Sequence, residues 1–514
     1  MKMTNIMKVN ISTYPTALRL LATLFFFLLF TLPAAGQEGD GSKSTIENEN
    51  GGDGTKGNPI LIATAKELAY FAQQVNDGGK KLSYGTDGEI DKSGEQNYKG
   101  GFSGYYFALS RNIDLAGIEW TPIGTYMHDF CGHFDGQGHV VKGLKVDMSN
   151  GSGYIYAGLF GCIYDGTIQN LGVELSDDGI KAGSTGGVVY AGGIVGKITG
   201  SGGAATIRNC YVTGSGGVTI TEYSRGGSAY AGGIAGYVNK AGSVGTQSVT
   251  LTHCYATVDV TGLIYTGGIV GELEDGTLSF TYATGTVTGK NGSAGGICGY
   301  SYEGSLTNNL ALNKEISGSD SYSGRVLGQN SSSSTTLGSN YANPDMLVNG
   351  QLAAGTDAGS NSGAATWSDK FKDDLIGTTP GNETAWKDAW EWTDGQLPQL
   401  KMITGEDDKG KPTGYSENAF GSQPSISVGD YLPHAPWADC AATSIANSGT
   451  GTKGDPILIA TPQELAYLAQ QVNNNEKLKV GGDNSTEIDN TDASLASTSP
   501  SPPPSTWRGE SGRR

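Results

Sequence analysis

The chain has 514 residues and a formal net charge of -18 at pH 7, which argues against nucleic acid and anionic membrane surfaces as partners. Glycine accounts for 82 residues without the three-residue period of collagen, and apolar residues make up 37%, too many for a chain without a packed core. Glycine among Val, Ile, Thr and Tyr favours short strands joined by tight turns.

The first segment is typical of a secretory signal peptide. The apolar run LLATLFFFLLFTL follows Arg19 and precedes PAAGQ, which places cleavage before Gln37. The alternative is a signal anchor, but the run is short for a membrane span. We therefore expect residues 1–36 to be removed, residues 37–53 to form a flexible linker, and the protein to be secreted or held at the bacterial cell surface with no remaining membrane span.

An α/β module is predicted next, at residues 54–125. The stretch PILIA reads as a strand, and TAKELAYFAQQVN reads as a helix with Thr64 as N-cap and Glu67 in a capping box. The apolar face of the helix comprises Leu68, Phe71, Ala72 and Val75. We expect this module to cap the first of the repeats that follow.

Two short motifs recur through residues 126–340. The first is AGLFG (157–161), AGGIVG (191–196), AGGIAG (231–236), TGGIVG (266–271), AGGICG (294–299) and SGRVLG (323–328). The second is TIQNLGVE (167–174), TIRNCYVTG (206–214), LTHCYATVDV (251–260), LSFTYATGTV (278–287) and LTNNLALNKEI (306–316). One copy cannot bury its apolar residues, but stacked copies bury a continuous core, which predicts a parallel β-solenoid.

Equivalent positions in successive repeats should form columns. An interior column is predicted for Ile194, Ile234, Ile269 and Ile297. A partial asparagine ladder is predicted for Asn170, Asn209 and Asn309, with His253 and Phe280 interrupting it. The candidate ligand-binding residues Tyr211, Tyr255 and Tyr282 form an outward stripe that either binds a sugar or protein or packs repeat against repeat.

The pairing of GGIVG (192–196) with NCYVTG (209–214) resembles GLUG-motif repeats. These repeats occur in bacterial surface proteins and beside some IgA-specific zinc peptidases. The resemblance covers about residues 126–340 and implies an exported β-solenoid with a surface or adhesive role. No H-E-x-x-H motif is present in the sequence, so the peptidase is absent. The expected fold class is mainly β, a right-handed parallel β-helix with a small N-terminal α/β cap.

Histidine, acidic and cysteine residues are the candidates for metal and disulfide chemistry. The stretch HDFCGHFDGQGHVV holds His128, Asp129, His133, Asp135 and His139, but its glycines indicate a structural turn rather than a metal site. Calcium is an alternative to solvated turns at the acidic loops 176–179 and 272–276, and no other cofactor is expected. The six cysteines read as small core residues, with disulfides as the alternative.

The C-terminal part contains a tryptophan cluster and a second copy of the first module. Trp386, Trp390 and Trp392 within 341–402 read as a C-terminal cap, with a sugar-binding platform as the alternative, and 403–450 reads as a linker. Residues 451–489 restart the module of 54–76, with 19 of 23 positions identical over 451–473. Out-of-frame codons for the next expected segment spell STWRG and SGRR, so 490–514 is expected to be an out-of-frame disordered tail rather than a genuine Pro-rich one.

Together these features predict an exported surface protein that binds or adheres to a host or microbial glycan or protein. One alternative is a structural stalk. The other is a polysaccharide lyase-type enzyme, which is disfavoured because the charged residues of the repeats, among them Lys197, Arg208 and Glu272, form no column.

Overall fold

The computed structural model describes residues 45–48, 51–353 and 361–432, with gaps at 97–98, 117, 202, 224–226, 241–248, 291, 320, 367, 369–370, 377–382 and 408–409, and short stretches between 457 and 488. The predicted signal peptide and the predicted tail at 490–514 lie outside these residues. The described residues fall into two compact units, one within 1–365 and 373–431 and the other within 366–372 and 432–514.

The N-terminal module has the predicted strand and helix. Helix α1 spans Ala65–Asn76, and both hydrogen bonds of the capping box between Thr64 and Glu67 are present. The Glu67 side chain is fully buried, and its carboxylate also accepts hydrogen bonds from the backbone N–H groups of Glu47 and Ala63. Phe71 on the apolar face packs against the rings of Phe107 and Phe134 on the first strands, so it packs the helix onto the sheet core.

The protein is mainly β, and strands from successive repeats pair in parallel in three sheets. The large sheet contains Ile60–Ile62, Tyr106–Leu109, Ile113–Asp114, His133–Asp135, Val140–Gly151, Thr167–Gln169, Gly172–Ser184, Ala205–Gly214, Val218–Glu222, Val249–Ala256, Val260–Gly262, Gly276–Ser279, Tyr282–Ala283, Val287–Gly289, Ser305–Thr307, Leu310–Ala311, Glu315–Ser317, Thr336–Gly338, Tyr341–Ala342, Leu347–Val348, Gln351–Leu352 and Ala364–Ala365. Among the described strands of this sheet, the antiparallel pairing joins Leu347–Val348 to Gln351–Leu352.

The two smaller parallel sheets carry the first repeat motif. The second sheet contains Ile155–Ala157, Val189–Gly192, Ala229–Gly232, Tyr265–Gly267, Ser293–Gly295 and Ser323–Gly324. The third sheet contains Phe160–Tyr164, Val195–Gly200, Ala235–Lys240, Val270–Glu274, Cys298–Tyr302 and Leu327–Asn330. Each of these repeats therefore contributes one strand to each of the two smaller sheets.

The remaining elements are short. Antiparallel pairs join Lys81–Tyr84 to Gly88–Asp91, Trp390–Glu391 to Gln399–Glu406, Gln399–Glu406 to Pro412–Ala419, and Leu478–Val480 to Thr486–Ile488. Helices α2 and α3 span Phe371–Ile376 and Glu383–Asp388, and a 3-10 turn spans Val428–Asp430.

The predicted isoleucine column is confirmed. Ile194, Ile234, Ile269 and Ile297 are all fully buried, and each donates its N–H to the carbonyl of the next residue in the column, with Val326 following Ile297. The adjacent glycines allow this close stacking. A Cβ on Gly268, for example, would lie 2.1 Å from the carbonyl oxygen of Gly296, closer than any side chain tolerates.

Arg325 takes the glycine position of the motif in the last copy. Its guanidinium is buried and donates to the carbonyl oxygens of Ser362, Asn343 and Gly363 at 3.1, 3.2 and 2.9 Å. The long side chain therefore provides hydrogen-bond donors to three backbone carbonyl groups.

The strand register corrects the predicted asparagine ladder. Because Ser305 aligns with Thr277 and Thr277 with Thr250, the residue equivalent to Asn170 and Asn209 is Asn308, not Asn309. These corner residues share a left-handed backbone, with φ of 50°, 56° and 59°, which asparagine tolerates better than most residues. Asn309 instead joins a buried amide row with Asn340.

Five of the described cysteines are buried and free: Cys131, Cys162, Cys210, Cys254 and Cys298. Their interpretation as core residues is confirmed for Cys210, Cys254 and Cys298, whereas Cys162 packs with Tyr156 and Tyr190 in a separate cluster. Cys440 lies outside the described residues. Cys210 pairs in register with Cys254 in the large sheet, but Cys298 lies in the third sheet beside Val270 and Leu327. The equal spacing of Cys210, Cys254 and Cys298, which are 44 residues apart in the sequence, therefore does not mark one structural position.

Residues 403–432, predicted as part of a linker, instead complete a β-hairpin and a following turn. The corner asparagines hold this hairpin. Ile403 N–H donates to Asn170 Oδ1 at 2.8 Å, and Asn209 Nδ2 donates to the Lys401 carbonyl at 2.6 Å. The side-chain amides thus form hydrogen bonds with the hairpin backbone in the way that a neighbouring strand would. The polar composition of residues 403–432 does not indicate this docking. The rest of the predicted linker, 433–450, lies outside the described residues.

The second unit contains the described residues of the repeated module. Tyr467 and Val480 are buried, with Ile457 and Ile459 packed against them. Lys479 N–H donates to the Tyr467 hydroxyl at 3.0 Å, as Ser83 N–H donates to the Tyr70 hydroxyl at 3.2 Å. The two antiparallel strand pairs also share the same register, so the sequence repeat extends to local structure.

Candidate functional site

A groove of about 740 Å³ lies between the large sheet and the hairpin 399–419. We call it the hairpin groove. Its floor consists of alternate, outward-facing residues on the first strands of the sheet, because inward positions such as Phe107 and Phe134 are buried in the core. The residues used below are Tyr106, His133, Asp135, Gln169, Arg208 and Glu406.

An aromatic pair forms one part of the floor. Tyr106 and His133 are in-register neighbours, and their rings stack with centroids 4.2 Å apart and planes within 17°. Both side chains are half-buried. Thr167 and Thr206 continue the same outward column, so small hydroxyl residues follow the rings and leave space above them.

A row of polar side chains runs beside the aromatic pair. Gln169 Nε2 donates to Asp135 Oδ2 at 2.9 Å, and Arg208 Nε donates to Gln169 Oε1 at 2.9 Å. The Arg208 guanidinium also donates to Glu406 on the hairpin, and Lys56 forms an ion pair with Glu406 at 3.1 Å. The row links floor to wall and fixes the orientation of its donors and acceptors.

Burial governs the charge of the groove. Desolvation lowers the pKa of His133 below its ordinary value, so its imidazole is neutral at pH 7. Desolvation also raises the pKa of Asp135, although the hydrogen bonds from Gln169, Gln137 and Asn170 act in the opposite direction. Neutral rings beside fixed hydrogen-bonding groups are suited to an uncharged polar ligand.

The predicted tyrosine stripe is a stacked ladder, but it is buried. Tyr211 and Tyr255 have ring centroids 5.1 Å apart, and Tyr255 and Tyr282 4.7 Å apart, with planes within 5° in both pairs. All three side chains are at most 1% exposed. Trp390 and Phe420 cover them. The three rings pack repeat against repeat, as the alternative interpretation proposed. They lie beneath a covering segment, however, and so present no open surface to a ligand.

The tryptophan cluster is the cover of that ladder. Trp386 and Trp390 are buried and stack at 5.0 Å. Trp386 contacts Phe280 and Trp390 contacts Tyr282, both in the middle of the large sheet. The cluster is therefore neither the exposed sugar platform nor a cap on the last repeat strands. The Trp pattern alone does not reveal which strands it covers.

The histidine-rich stretch is divided among different surroundings. His133 and Asp135 face the hairpin groove, whereas His128 Nδ1 contacts the Asn76 carbonyl at 2.5 Å. Gln137 and Gly138 have φ of 50° and 76°, as a tight turn requires. Within the described residues, no group of three or more His, Cys, Asp or Glu side chains is placed to hold a metal ion.

The acidic loops proposed for calcium direct their carboxylates to separate partners. Asp178 pairs with Lys145 and Lys181, and Asp275 with Lys240 at 3.3 Å. Glu274 accepts hydrogen bonds from Tyr237 and Asn239. Calcium at either loop stays a prediction.

Sequence reasoning missed the groove as a site. The sequence does indicate the outward face of the floor. In Thr167–Gln169 and Thr206–Arg208, a polar residue stands on each side of one buried Ile, so the polar side chains of both strands point away from the core. The other wall comes from residues about 200 positions later, with Arg208 and Glu406 separated by 198 positions. Only the docking of the hairpin brings them together.

Across the described residues, no helix has both the length and the apolar character that a membrane span requires.

No family model matches the sequence. A protein named "Putative Gly-rich membrane protein" from Evansella cellulosilytica is 33% identical over 158 residues, which cover 29% of this chain and 14% of that protein. The chain thus matches a small part of that relative's length. Among solved structures, a "putative immunoglobulin A1 protease" from Bacteroides ovatus is similar with a TM-score of 0.47 and 23% identity, over 68% of this chain and 94% of that chain.

Proposed function

We propose that this chain is an exported bacterial surface protein that binds a glycan in the hairpin groove. The observation that carries the proposal is the stacked Tyr106–His133 pair beside the hydrogen-bonded row from Asp135 to Glu406. Aromatic faces pack against the apolar faces of sugar rings, and fixed carboxylate, amide and guanidinium groups match sugar hydroxyls. Export is supported by the signal-peptide pattern of the N-terminus.

The scaffold in this proposal is a right-handed parallel β-solenoid of GLUG-type repeats. Support comes from the in-register parallel pairing of equivalent strands in all three sheets and from the continuous isoleucine column. Such a scaffold holds outward residues at fixed spacings of about 4.8 Å between strands, so it presents rows of groups to an extended ligand.

The test is a screen of the full chain against host, mucin and microbial glycans. Wild type is compared with Tyr106→Ala and with Thr336→Ala, since Thr336 continues the same outward column far from the groove. We expect specific glycan binding that falls at least about tenfold in Tyr106→Ala and stays unchanged in Thr336→Ala. Binding to proteins alone, shortening of a polysaccharide, or no ligand would contradict the proposal and favour a protein adhesin, an enzyme or a stalk, respectively.

A further inference from the structure

The second and third sheets carry a group of tyrosines around one acidic side chain, far along the repeats from the first strands that form the groove floor. Glu272 lies in register between Tyr237 and Tyr300 in the third sheet, so the three side chains share one outward face. Tyr230 and Tyr265 approach from the neighbouring sheet. We call these five residues the tyrosine–glutamate patch.

The rings border the carboxyl group on several sides. Tyr265 and Tyr300 have centroids 4.5 Å apart, Tyr230 and Tyr237 5.0 Å, and Tyr230 and Tyr265 5.6 Å. All four tyrosines are half-buried and keep part of their rings accessible. They therefore form an open aromatic surround rather than a sealed core cluster.

Glu272 itself is only 8% exposed. Within the described residues, no hydrogen bond or ion pair reaches its carboxyl group, unlike that of Glu274, which Tyr237 and Asn239 engage. Burial and repulsion from Glu274 raise the pKa of Glu272 to about 8. An unpaired buried carboxyl group is costly and is relieved by a cation that covers it.

The chain shows that this surface accepts an ammonium group. Lys197 Nζ lies 5.6 Å from the ring centroids of both Tyr190 and Tyr237. On the other side of Tyr237, the equivalent register position is Glu272 rather than a cation. Tyr237 therefore lies between an internal ammonium group on one neighbouring strand and an unpaired carboxyl group on the other.

We propose that the tyrosine–glutamate patch binds an alkylammonium group, between the tyrosine rings and against the Glu272 carboxylate. The negative faces of aromatic rings attract cations, and the attraction strengthens when the contact is desolvated. The site is independent of the glycan proposed for the hairpin groove. The ammonium group has two chemical sources, a quaternary trimethylammonium such as choline or a primary amine such as a lysine side chain.

The test is calorimetric titration of the full chain at pH 8.5 with choline, with n-butylammonium, and with 3,3-dimethylbutanol as the neutral shape match of choline. We expect saturable binding of at least one cation, at least tenfold tighter than the neutral alcohol. The tighter cation identifies the source. Glu272→Gln should weaken binding at least tenfold and Tyr300→Leu at least threefold, whereas the exposed Glu315→Gln should leave it unchanged.

Lowering the pH to 6 should weaken binding to wild type, because Glu272 is then protonated, and should not affect the residual binding of Glu272→Gln. Equal affinity for the alcohol and the cations would overturn the proposal, as would cation binding that survives in both Glu272→Gln and Tyr300→Leu.

Discussion

The Tyr282 hydroxyl donates a 3.1 Å hydrogen bond to the carbonyl oxygen of Pro398, on the segment that covers the tyrosine ladder. The stacked neighbour Tyr255 is equally buried, but its hydroxyl has no partner in the described structure. The two residues therefore have the same ring packing and opposite hydrogen-bonding states.

This difference gives a matched pair of substitutions. Tyr282→Phe should lower the free energy of unfolding by about 1 kcal/mol, because the Pro398 carbonyl loses its donor. Tyr255→Phe should be neutral or stabilising, since it removes an unsatisfied buried hydroxyl. Urea unfolding followed by tryptophan fluorescence measures both, as Trp390 contacts both rings. An equal loss in the two variants would contradict this assignment.

The ion pair between Arg208 and Glu406 should hold the hairpin on the sheet. The two side chains are only 11% and 13% exposed, so Glu406→Gln should cost about 1.5–3 kcal/mol and accelerate proteolysis within 399–419. Asp178→Asn is the control, because Asp178 and Lys145 are 51% and 40% exposed and exposed pairs contribute about 0–1 kcal/mol. Unchanged proteolysis of the Glu406 variant would show that other contacts hold the hairpin.

The strands stack closely at the motif glycines, so we expect an alanine at these positions to destabilise the fold strongly. In Gly268→Ala the new Cβ would meet the Gly296 carbonyl oxygen at 2.1 Å, which the parallel strands on both sides cannot relieve without moving apart. We expect a loss of about 3 kcal/mol or more, comparable to a severe packing defect. Gly94→Ala, where nothing lies within 4 Å of the added carbon, should change thermal stability little.

The raised pKa of Glu272 predicts a stability that depends on pH. Its folded pKa is about 8 against 4.5 for the ordinary carboxyl group. Between these values the folded state keeps a proton that the unfolded chain has released, so the free energy of unfolding falls as pH rises, and this trend ends above about pH 8. The titratable groups around Glu272 are Glu274, Tyr230, Tyr237, Tyr265 and Tyr300, and Tyr190 and Cys298 also interact with its charge.

Burial raises the pKa of Asp129 to about 6. Asp129 therefore also lowers the free energy of unfolding as pH rises, but only at lower pH than Glu272. Comparison of wild type with Glu272→Gln between pH 6.5 and 8 therefore isolates Glu272. The wild-type midpoint in urea should fall across this range, and the variant should show a smaller slope. Identical slopes would mean that Glu272 ionises at its ordinary pKa.

The features that could be predicted from the sequence depend on neighbouring residues or on equivalent positions in successive repeats. The capping box of Thr64 and Glu67 needs only four neighbouring residues, and the column from Ile194 to Ile297 needs only equivalent positions in successive repeats. The error at Asn309 came from aligning Leu306 instead of Ser305 with Thr206, because a shift of one residue in a strand exchanges the residues of its two faces.

Docking between distant segments escaped prediction. Nothing near Tyr211 in the sequence indicates that Phe420 covers it, and nothing near Arg208 indicates Glu406. The hairpin 399–419 is polar because one face lies over asparagine side chains and the groove, so its composition resembles that of a linker. The hairpin groove and the covered tyrosine ladder can therefore be identified only from the long-range packing of the chain.

The most direct test of the glycan proposal is to titrate the best-binding oligosaccharide into the full chain and follow the histidine ring signals by NMR. The sequence has five histidines, and His133→Gln assigns the relevant signal. A ligand in the hairpin groove should shift the His133 signal saturably. It should leave the His253 signal unchanged, since that ring stacks on Phe280 and does not line the groove. Saturable binding with an unchanged His133 signal would contradict the groove as the binding site.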